Sequence, residues 1–280
     1  MQGFCFPEGS ADVLFTTGTT GAPKGVVIGT RAIAASAENI VHGQAYRHDI
    51  RFVVPGQLNH LGCLSKVWAT MLAGATCCLM PKFDFNEFFS LLTSCKEKGV
   101  GVFLVPSCIR MLTKFGGKQM EDAAMKLAFI ETGGDALDVP TMAELHKQLP
   151  HTRLFNTYAS TETGVVATFE FTHHQLAGCV GYALPNARFD ITPEGHIGCA
   201  GDTLMSGYLR MGEQITYEPL TEKRFTTCDC GEIDNQGRLQ FKCRDSDIIN
   251  TGGFKVSPQE VEAAANSFAE VKACVCIAVP

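Results

Sequence analysis

From the amino terminus to about residue 158, short apolar runs alternate with longer stretches of helical periodicity. Residues 13–16, 51–54, 75–80, 101–105, 127–131 and 153–156 are short and apolar and read as strands. Between them, 31–42, 61–72, 85–98, 107–115 and 139–149 are each long enough for a helix. Asp84, three residues before Glu87, marks a helix start, and Gly99 marks a stop. Such alternation predicts βαβ units and an α/β fold with a mainly parallel sheet flanked by helices. From about 165 to 245 the texture changes to short strands separated by Pro185-Asn186, Pro193-Glu194-Gly195 and Asn235-Gln236-Gly237, which predicts a β-rich segment. Ser257-Pro258-Gln259-Glu260 then starts a helix, with a serine cap, proline first and glutamate third. The chain therefore divides into 1–163, 164–244 and 245–280.

The most distinctive chemistry follows the first apolar run. Phe15-Thr16-Thr17-Gly18-Thr19-Thr20-Gly21-Ala22-Pro23-Lys24-Gly25-Val26 packs four threonines, three glycines and one lysine into ten positions. Glycines let the backbone turn closely around a ligand and leave N–H groups pointing inward. The hydroxyls and the Lys24 charge add donors, so the stretch suits a polyphosphate. It is not a Walker A loop, because Pro23 stands where the second glycine is required.

Further segments follow in order. They are Glu131-Thr132-Gly133-Gly134-Asp135-Ala136-Leu137, Asn156-Thr157-Tyr158-Ala159-Ser160-Thr161-Glu162, Phe225-Thr226-Thr227-Cys228-Asp229, Arg244, and residues 247–262 with the Gly252-Gly253 turn. Together with the threonine-glycine loop they resemble the signature motifs of the adenylate-forming (AMP-binding) superfamily, acyl-CoA synthetases among them. The resemblance implies that Thr16, Thr17, Gly18, Thr19, Thr20, Gly21 and Lys24 close over the β- and γ-phosphates of ATP. It implies that the Gly133-Gly134-Asp135 backbone lies beside adenine and the acyl group. Asn156, Tyr158, Ala159 and Ser160 belong to the nucleotide segment, with the Tyr158 ring flanking adenine. Thr161 meets the α-phosphate and Glu162 holds Mg²⁺, as suits a hard cation that bridges phosphates. Asp229 takes the ribose hydroxyls, for which a carboxylate is the natural acceptor, and Arg244 also reaches the ribose. Gly252 and Gly253 lie along the path of the attacking thiol. His60, in Pro55-Gly56-Gln57-Leu58-Asn59-His60, is similar to a histidine near the acyl pocket, with altered spacing. Departures from the family pattern are Ala159, Cys228 and Cys243 where glycine is usual, and Ser246 where many members carry a hinge aspartate.

In these terms residues 1–163 are an α/β nucleotide- and acyl-binding subdomain incomplete at its amino end. Residues 164–244 are a β-rich subdomain completing the ATP site, and 245–280 are the hinge and the start of a small C-terminal domain. Family members carry a long stretch ahead of the loop and a further domain with an adenylation lysine. The expectation is thus a chain truncated at both ends, which adenylates poorly alone and whose missing segments are supplied in trans.

Composition adjusts this picture only slightly. The net charge of −6 disfavours nucleic acid or an anionic membrane as the main partner. No apolar run is long enough to span a bilayer, and residues 1–10 lack the pattern of a signal peptide. Thirteen cysteines without a Cys-x-x-Cys read as reduced thiols of a cytoplasmic protein rather than as a disulfide or metal framework. The implied reaction joins a small-molecule carboxylic acid to ATP as an acyl-adenylate and passes the acyl group to coenzyme A. Two alternatives stand beside it. One is an amino-acid adenylation domain, for which Phe83-Asp84 lies too late in the chain. The other is a non-catalytic nucleotide-binding fragment.

Overall fold

In the computed structural model the chain is described over residues 5–17, 23–44, 46–212, 214–251, 254–266, 268, 271 and 274–279. Its first half runs β1 (Ser10–Thr17), β2 (Pro23–Gly29), α1 (Thr30–Gln44), β3 (Ile50–Val54), α2 (Leu61–Leu72), β4 (Thr76–Leu79) and α3 (Phe85–Thr93). It continues β5 (Gly99–Phe103), α4 (Pro106–Phe115), α5 (Gly117–Ala124), β6 (Leu127–Gly133), α6 (Val139–Gln148) and β7 (Arg153–Ser160). The second half is mostly strand: β8 (Gly164–Glu170), β9 (Cys179–Ala183), β10 (Ala187–Ile191), β11 (His196–Gly201), β12 (Gly207–Arg210), β13 (Thr216–Pro219), β14 (Arg224–Ile233) and β15 (Leu239–Arg244). A 3-10 turn (Asp245–Asp247) then leads to the hairpin β16 (Ile249–Thr251) and β17 (Phe254–Val256) and to α7 (Pro258–Asn266).

Strands β4-β3-β5-β6-β7 are parallel neighbours, as the alternating pattern predicts. Antiparallel strands extend the same sheet through β8, β9, β15, β14, β11 and β10. The parallel strands are apolar on both faces because helices cover both. Val53, Val102, Ile130 and Leu154 face the layer of α3, α4, α5 and α6, where Phe88, Ile109, Met120 and Leu145 pack. Their strand neighbours Phe52, Phe103, Phe129 and Phe155 face α1 and α2. Period-two alternation thus sorts one apolar run into two cores. The Asp84 carboxylate caps α3 by accepting the Glu87 N–H at 2.9 Å, and Pro258 opens α7.

Three details depart from the sequence expectations. Gly99 does not stop a helix: α3 ends at Thr93, and Gly99 opens β5. The glycines of β5 serve packing, since a side chain at Gly101 would strike the rings of Phe129 and Phe52. Helix α5 occupies a stretch read as connection. Most consequentially, β1 is followed not by a helix but by β2, with which it pairs through Thr16↔Lys24 and Thr17↔Pro23. This hairpin leaves the parallel sheet and joins β12 and β13 in a separate antiparallel sheet of order β1-β2-β12-β13. No helix among the described residues is long and apolar enough to cross a membrane.

Candidate active site

Ligands of α/β sheets gather beyond the carboxyl ends of the parallel strands. Here those ends carry the residues singled out from sequence. His60 precedes α2 just beyond β3, Gly133-Gly134-Asp135 end β6, and Thr161-Glu162 follow β7. An apolar floor joins the His60 and Thr161-Glu162 segments to the small sheet. Leu14, Val26 and Ile28 of the hairpin pack with Leu61 beside His60, with Ala159, with Met205 and Tyr208, and with Phe225 of β14.

Segment 158–162 ties the two polar groups of the site together. At its start Tyr158 donates its phenolic proton to Asp229 Oδ2 at 2.8 Å, while Arg244 Nε donates to Asp229 Oδ1 at 2.8 Å. Asp229 and Arg244 are register partners on β14 and β15. The Thr227 hydroxyl accepts the Asp229 N–H at 3.1 Å and fixes the strand locally. Both Asp229 and the Tyr158 ring are buried, whereas Arg244 is exposed and forms the outer edge. Burial first, and then the Asp229 charge, pushes the Tyr158 hydroxyl well above its ordinary range, so it stays a donor. The hydrogen bond to Asp229 raises the Arg244 guanidinium correspondingly. Each carboxylate oxygen of Asp229 keeps a lone pair beyond these two bonds.

At its other end the segment makes a tight turn. The Thr163 N–H donates to Ser160 Oγ at 3.1 Å, and the Ser160 N–H donates to Thr163 Oγ1 at 3.1 Å. Reciprocal side-chain bonds of this kind stand in for backbone ladder bonds and leave half-buried Thr161 and Glu162 at the apex. Gly164 allows the turn, with φ of 65° and an added Cβ only 2.6 Å from the Thr203 carbonyl. Glu162 Oε1 accepts the Tyr208 hydroxyl at 3.1 Å, and burial followed by the Glu162 charge holds that phenol protonated. The Tyr208 ring lies 5.5 Å from Lys24 Nζ and 5.2 Å from the Arg210 guanidinium. Thr16, Lys24 and Arg210 stand in one row across β1, β2 and β12. Two cations, Lys24 and Arg210, therefore stand beside Thr16 near the end of β1. Among the described residues the second Glu162 oxygen takes no hydrogen bond. A hard divalent cation fits this half-exposed carboxylate.

Other predicted positions fall as follows. Gly134 and Asp135 are exposed, Gly134 with φ of 84°, and Asp135 Oδ1 accepts the Ala136 N–H. Gly133 lies so close to β7 that a Cβ would come within 2.7 Å of the Thr157 carbonyl. The Asn156 amide is spent inside the sheet on the Cys179 carbonyl at 2.9 Å. Ala159 is half-buried against the apolar floor. His60 is exposed at the start of α2, where its backbone carbonyl accepts the Cys63 and Leu64 N–H groups and its ring takes no hydrogen bond among the described residues. Gly18, Thr19, Thr20 and Gly21, like Gly252 and Gly253, lie outside the described residues, as does the Thr17 side chain. Sequence reading missed Tyr208 and Arg210. Only the pairing of β12 with β2 brings them in, and no local spacing signals it. It also missed a buried ion pair on the α2 side of the sheet, Lys66 Nζ to Glu131 Oε1 at 2.6 Å.

Comparison with known proteins identifies the family and the fold. Residues 7–209 match the family model of the AMP-binding enzymes, and the chain belongs to that family. It is 30% identical to the indoleacetate–CoA ligase of Aromatoleum aromaticum, over 91% of this chain and 52% of that protein. It is 28% identical to the acyl-CoA synthetase ALT10 of Alternaria alternata, over 96% of this chain and 53% of that protein. ATP-bound MatB from Rhodopseudomonas palustris superposes with a TM-score of 0.80 at 25% identity, covering 92% of this chain and 53% of that one. The chain spans about half the length of the relatives it matches.

Proposed function

We propose that this chain carries the nucleotide-activating part of an AMP-forming acid–CoA ligase. The substrate is a small-molecule carboxylic acid. Its carboxylate oxygen attacks the α-phosphorus of ATP, and the bond from phosphorus to the pyrophosphate oxygen breaks, giving an acyl-adenylate. The sulfur of coenzyme A then attacks the acyl carbon, and the bond to AMP breaks. No nucleophilic side chain is required, so the protein acts by positioning and by stabilising charge.

One observation carries the reading: segment 158–162 engages Asp229 and Arg244 through Tyr158, and Tyr208 beside Lys24 through Glu162. In the proposed arrangement Asp229 accepts the ribose hydroxyls on its remaining lone pairs. Arg244 covers the sugar edge, and Tyr158 keeps the carboxylate oriented. The Gly133-Gly134-Asp135 backbone borders adenine, with Asn156, Ala159 and Ser160 holding the adjoining strand. Thr161 donates to the α-phosphate. Lys24, with Thr16, Thr17, Gly18, Thr19, Thr20, Gly21 and Arg210, surrounds the β- and γ-phosphates. Glu162 would hold Mg²⁺, which supplies charge neutralisation between phosphates. His60 borders the acyl end, and Gly252-Gly253 borders the thiol. The same reading keeps the division at 1–163, 164–244 and 245–280, with the last as the start of a small domain, and a cytoplasmic location. The relatives' acids, indoleacetate among them, favour a carboxylate without an α-amino group.

A second reading, nucleotide binding without turnover, is favoured by the exposed Cys228 side chain beside Asp229. Acid-dependent exchange of labelled pyrophosphate into ATP separates the two. It is measured across fatty, aromatic and amino acids on this chain and on a form extended at both ends. Exchange with a non-amino carboxylic acid, abolished by Asp229→Ala and Glu162→Gln, is expected in the extended form. Nucleotide binding with no exchange under any acid establishes the second reading, and exchange restricted to amino acids overturns the acid class.

A further inference from the structure

Strand β14 has a second face. Its residue Cys230 is the register partner of His196 on β11 and of Cys243 on β15, so these three side chains stand in a row across the sheet. Asp229 and Arg244, one position along, point to the other side. Register shifts interrupt the ladder just after His196 and just after Cys230, and such bulges re-aim side chains. Asp245, the first residue of the 3-10 turn, closes the group. Its Oδ2 lies 2.5 Å from His196 Nε2, and its Oδ1 accepts from Cys230 Sγ at 3.3 Å. One ligand atom from each of His196, Cys230 and Asp245 lies within 4.8 Å of the other two. His196 and Cys230 are partly exposed and Asp245 is exposed, so the group is open to solvent. The activation chemistry uses none of the three.

We propose that His196, Cys230 and Asp245 form a site for one divalent cation of the zinc type. Imidazole nitrogen, thiolate sulfur and carboxylate oxygen are all ligands of zinc, at about 2.0–2.3 Å. Ligand atoms around a tetrahedral ion at those bond lengths stand about 3.3–3.8 Å apart. The Cys230–Asp245 separation of 3.3 Å already meets this. The His196–Asp245 separation of 2.5 Å opens by about 1 Å as the ion replaces their hydrogen bond. Neutral imidazole, thiolate and carboxylate together carry the charge that balances a dication. On binding, the Cys230 S–H bond breaks, its proton leaves to solvent, and the metal–sulfur bond replaces it. Water completes the fourth position, with the buried Cys243 beside Cys230 in the same row of the sheet. Calcium and magnesium, which take oxygen ligands, do not match this set. A bound ion fastens the 3-10 turn, where the sheet passes toward β16, onto β11 and β14.

Cobalt(II) titration of the reduced protein tests the site. We expect one equivalent to bind with a thiolate-to-cobalt charge-transfer band and the visible bands of a four-coordinate ion, all displaced by zinc. Cys230→Ser should lose the charge-transfer band, and His196→Gln and Asp245→Asn should each weaken binding by more than about tenfold. Cys228→Ser, two residues away with its thiol exposed, should change nothing. Absence of the band, its survival in Cys230→Ser, or its equal loss in Cys228→Ser overturns the proposal. Should Cys230→Ser fail to fold, His196→Gln decides: unchanged cobalt affinity in that variant is equally fatal.

Discussion

Tyr208 donates its hydroxyl proton to Glu162 Oε1 at 3.1 Å while its ring lies 5.5 Å from Lys24 Nζ. One side chain from β12 thus reaches both the proposed metal ligand and the proposed phosphate ligand, and it does so only because β12 pairs with β2. Tyr208→Phe keeps the ring and removes the donor. Partners that orient a metal ligand are worth about 10–100-fold in metal affinity. The expected result is a Mg²⁺ requirement for pyrophosphate exchange raised about tenfold or more, with the KM for the acid unchanged. A Mg²⁺ titration of the variant checks it, and an unaltered profile would detach Tyr208 from the metal.

Asp229 binds two donors from two elements, the buried Tyr158 hydroxyl and the exposed Arg244 guanidinium. Removing the carboxylate leaves the buried phenol with the long 3.4 Å hydrogen bond to Thr227 Oγ1 in place of the 2.8 Å one, a loss of about 1–3 kcal/mol. Asp229→Ala should therefore lose stability as well as ATP binding. Arg244→Ala, at the exposed edge, should lose chiefly ATP binding. A cycle of Asp229→Ala with Tyr158→Phe should show coupling of about 1.5–3 kcal/mol, as for hydrogen bonds to a charged group. Urea midpoints and nucleotide titrations measure both quantities, and additive variants would mean the pair is not coupled.

How far the sequence carried this depends on the physics of each element. The parallel strands were legible because burial on both faces writes a continuous apolar run, as at 127–131. Asp84 and Pro258 were legible because capping is local chemistry. The site motifs were legible because turns such as Ser160 to Gly164 and glycine positions such as Gly134 demand particular residues. Strand β2 was not, since Gly25 and Pro23 read as loop residues. It pairs with β1 on one side and with distant β12 on the other, and a Cβ at Gly25 would sit 3.2 Å from Leu209. Tyr208 and Arg210 were invisible because that distant pairing leaves no local mark. The Lys66–Glu131 pair joins residues of α2 and β6 that nothing local connects.

That pair makes a separate prediction. Lys66 and Glu131 are 2% and 0% exposed, and the second Glu131 oxygen has no hydrogen-bond partner among the described residues. Breaking a buried pair strands a charge, at about 3–5 kcal/mol. Lys66→Met and Glu131→Gln should each be strongly destabilising. The double variant should recover most of the loss, because replacing both charges removes two desolvation penalties. Urea unfolding of the three variants decides it; a double variant as unstable as the sum of the singles would show that the ions act independently.

Glu97 gives the pH dependence. Its Oε2 accepts the Cys95 thiol at 3.1 Å and the Lys96 N–H at 3.1 Å, and Arg51 lies 3.2 Å away. The Cys95 hydrogen bond first, with further help from Thr76 and Arg51, holds this carboxyl at about 2, below its ordinary 4.5. As pH falls the unfolded chain takes up this proton before the folded chain does, so stability must fall with it. The contribution is fully present above pH 4.5 and is lost as pH approaches about 2. Glu97→Gln carries no such proton. Its deficit against the parent should be largest near neutrality and should shrink steadily below pH 4.5. The group is within reach of solvent, so added salt should narrow the gap at every pH by screening Arg51. Urea midpoints of both proteins between neutrality and the acid limit of folding measure it. A gap that stays constant with pH would mean that the Glu97 charge contributes nothing to holding β3, β4 and β5 together.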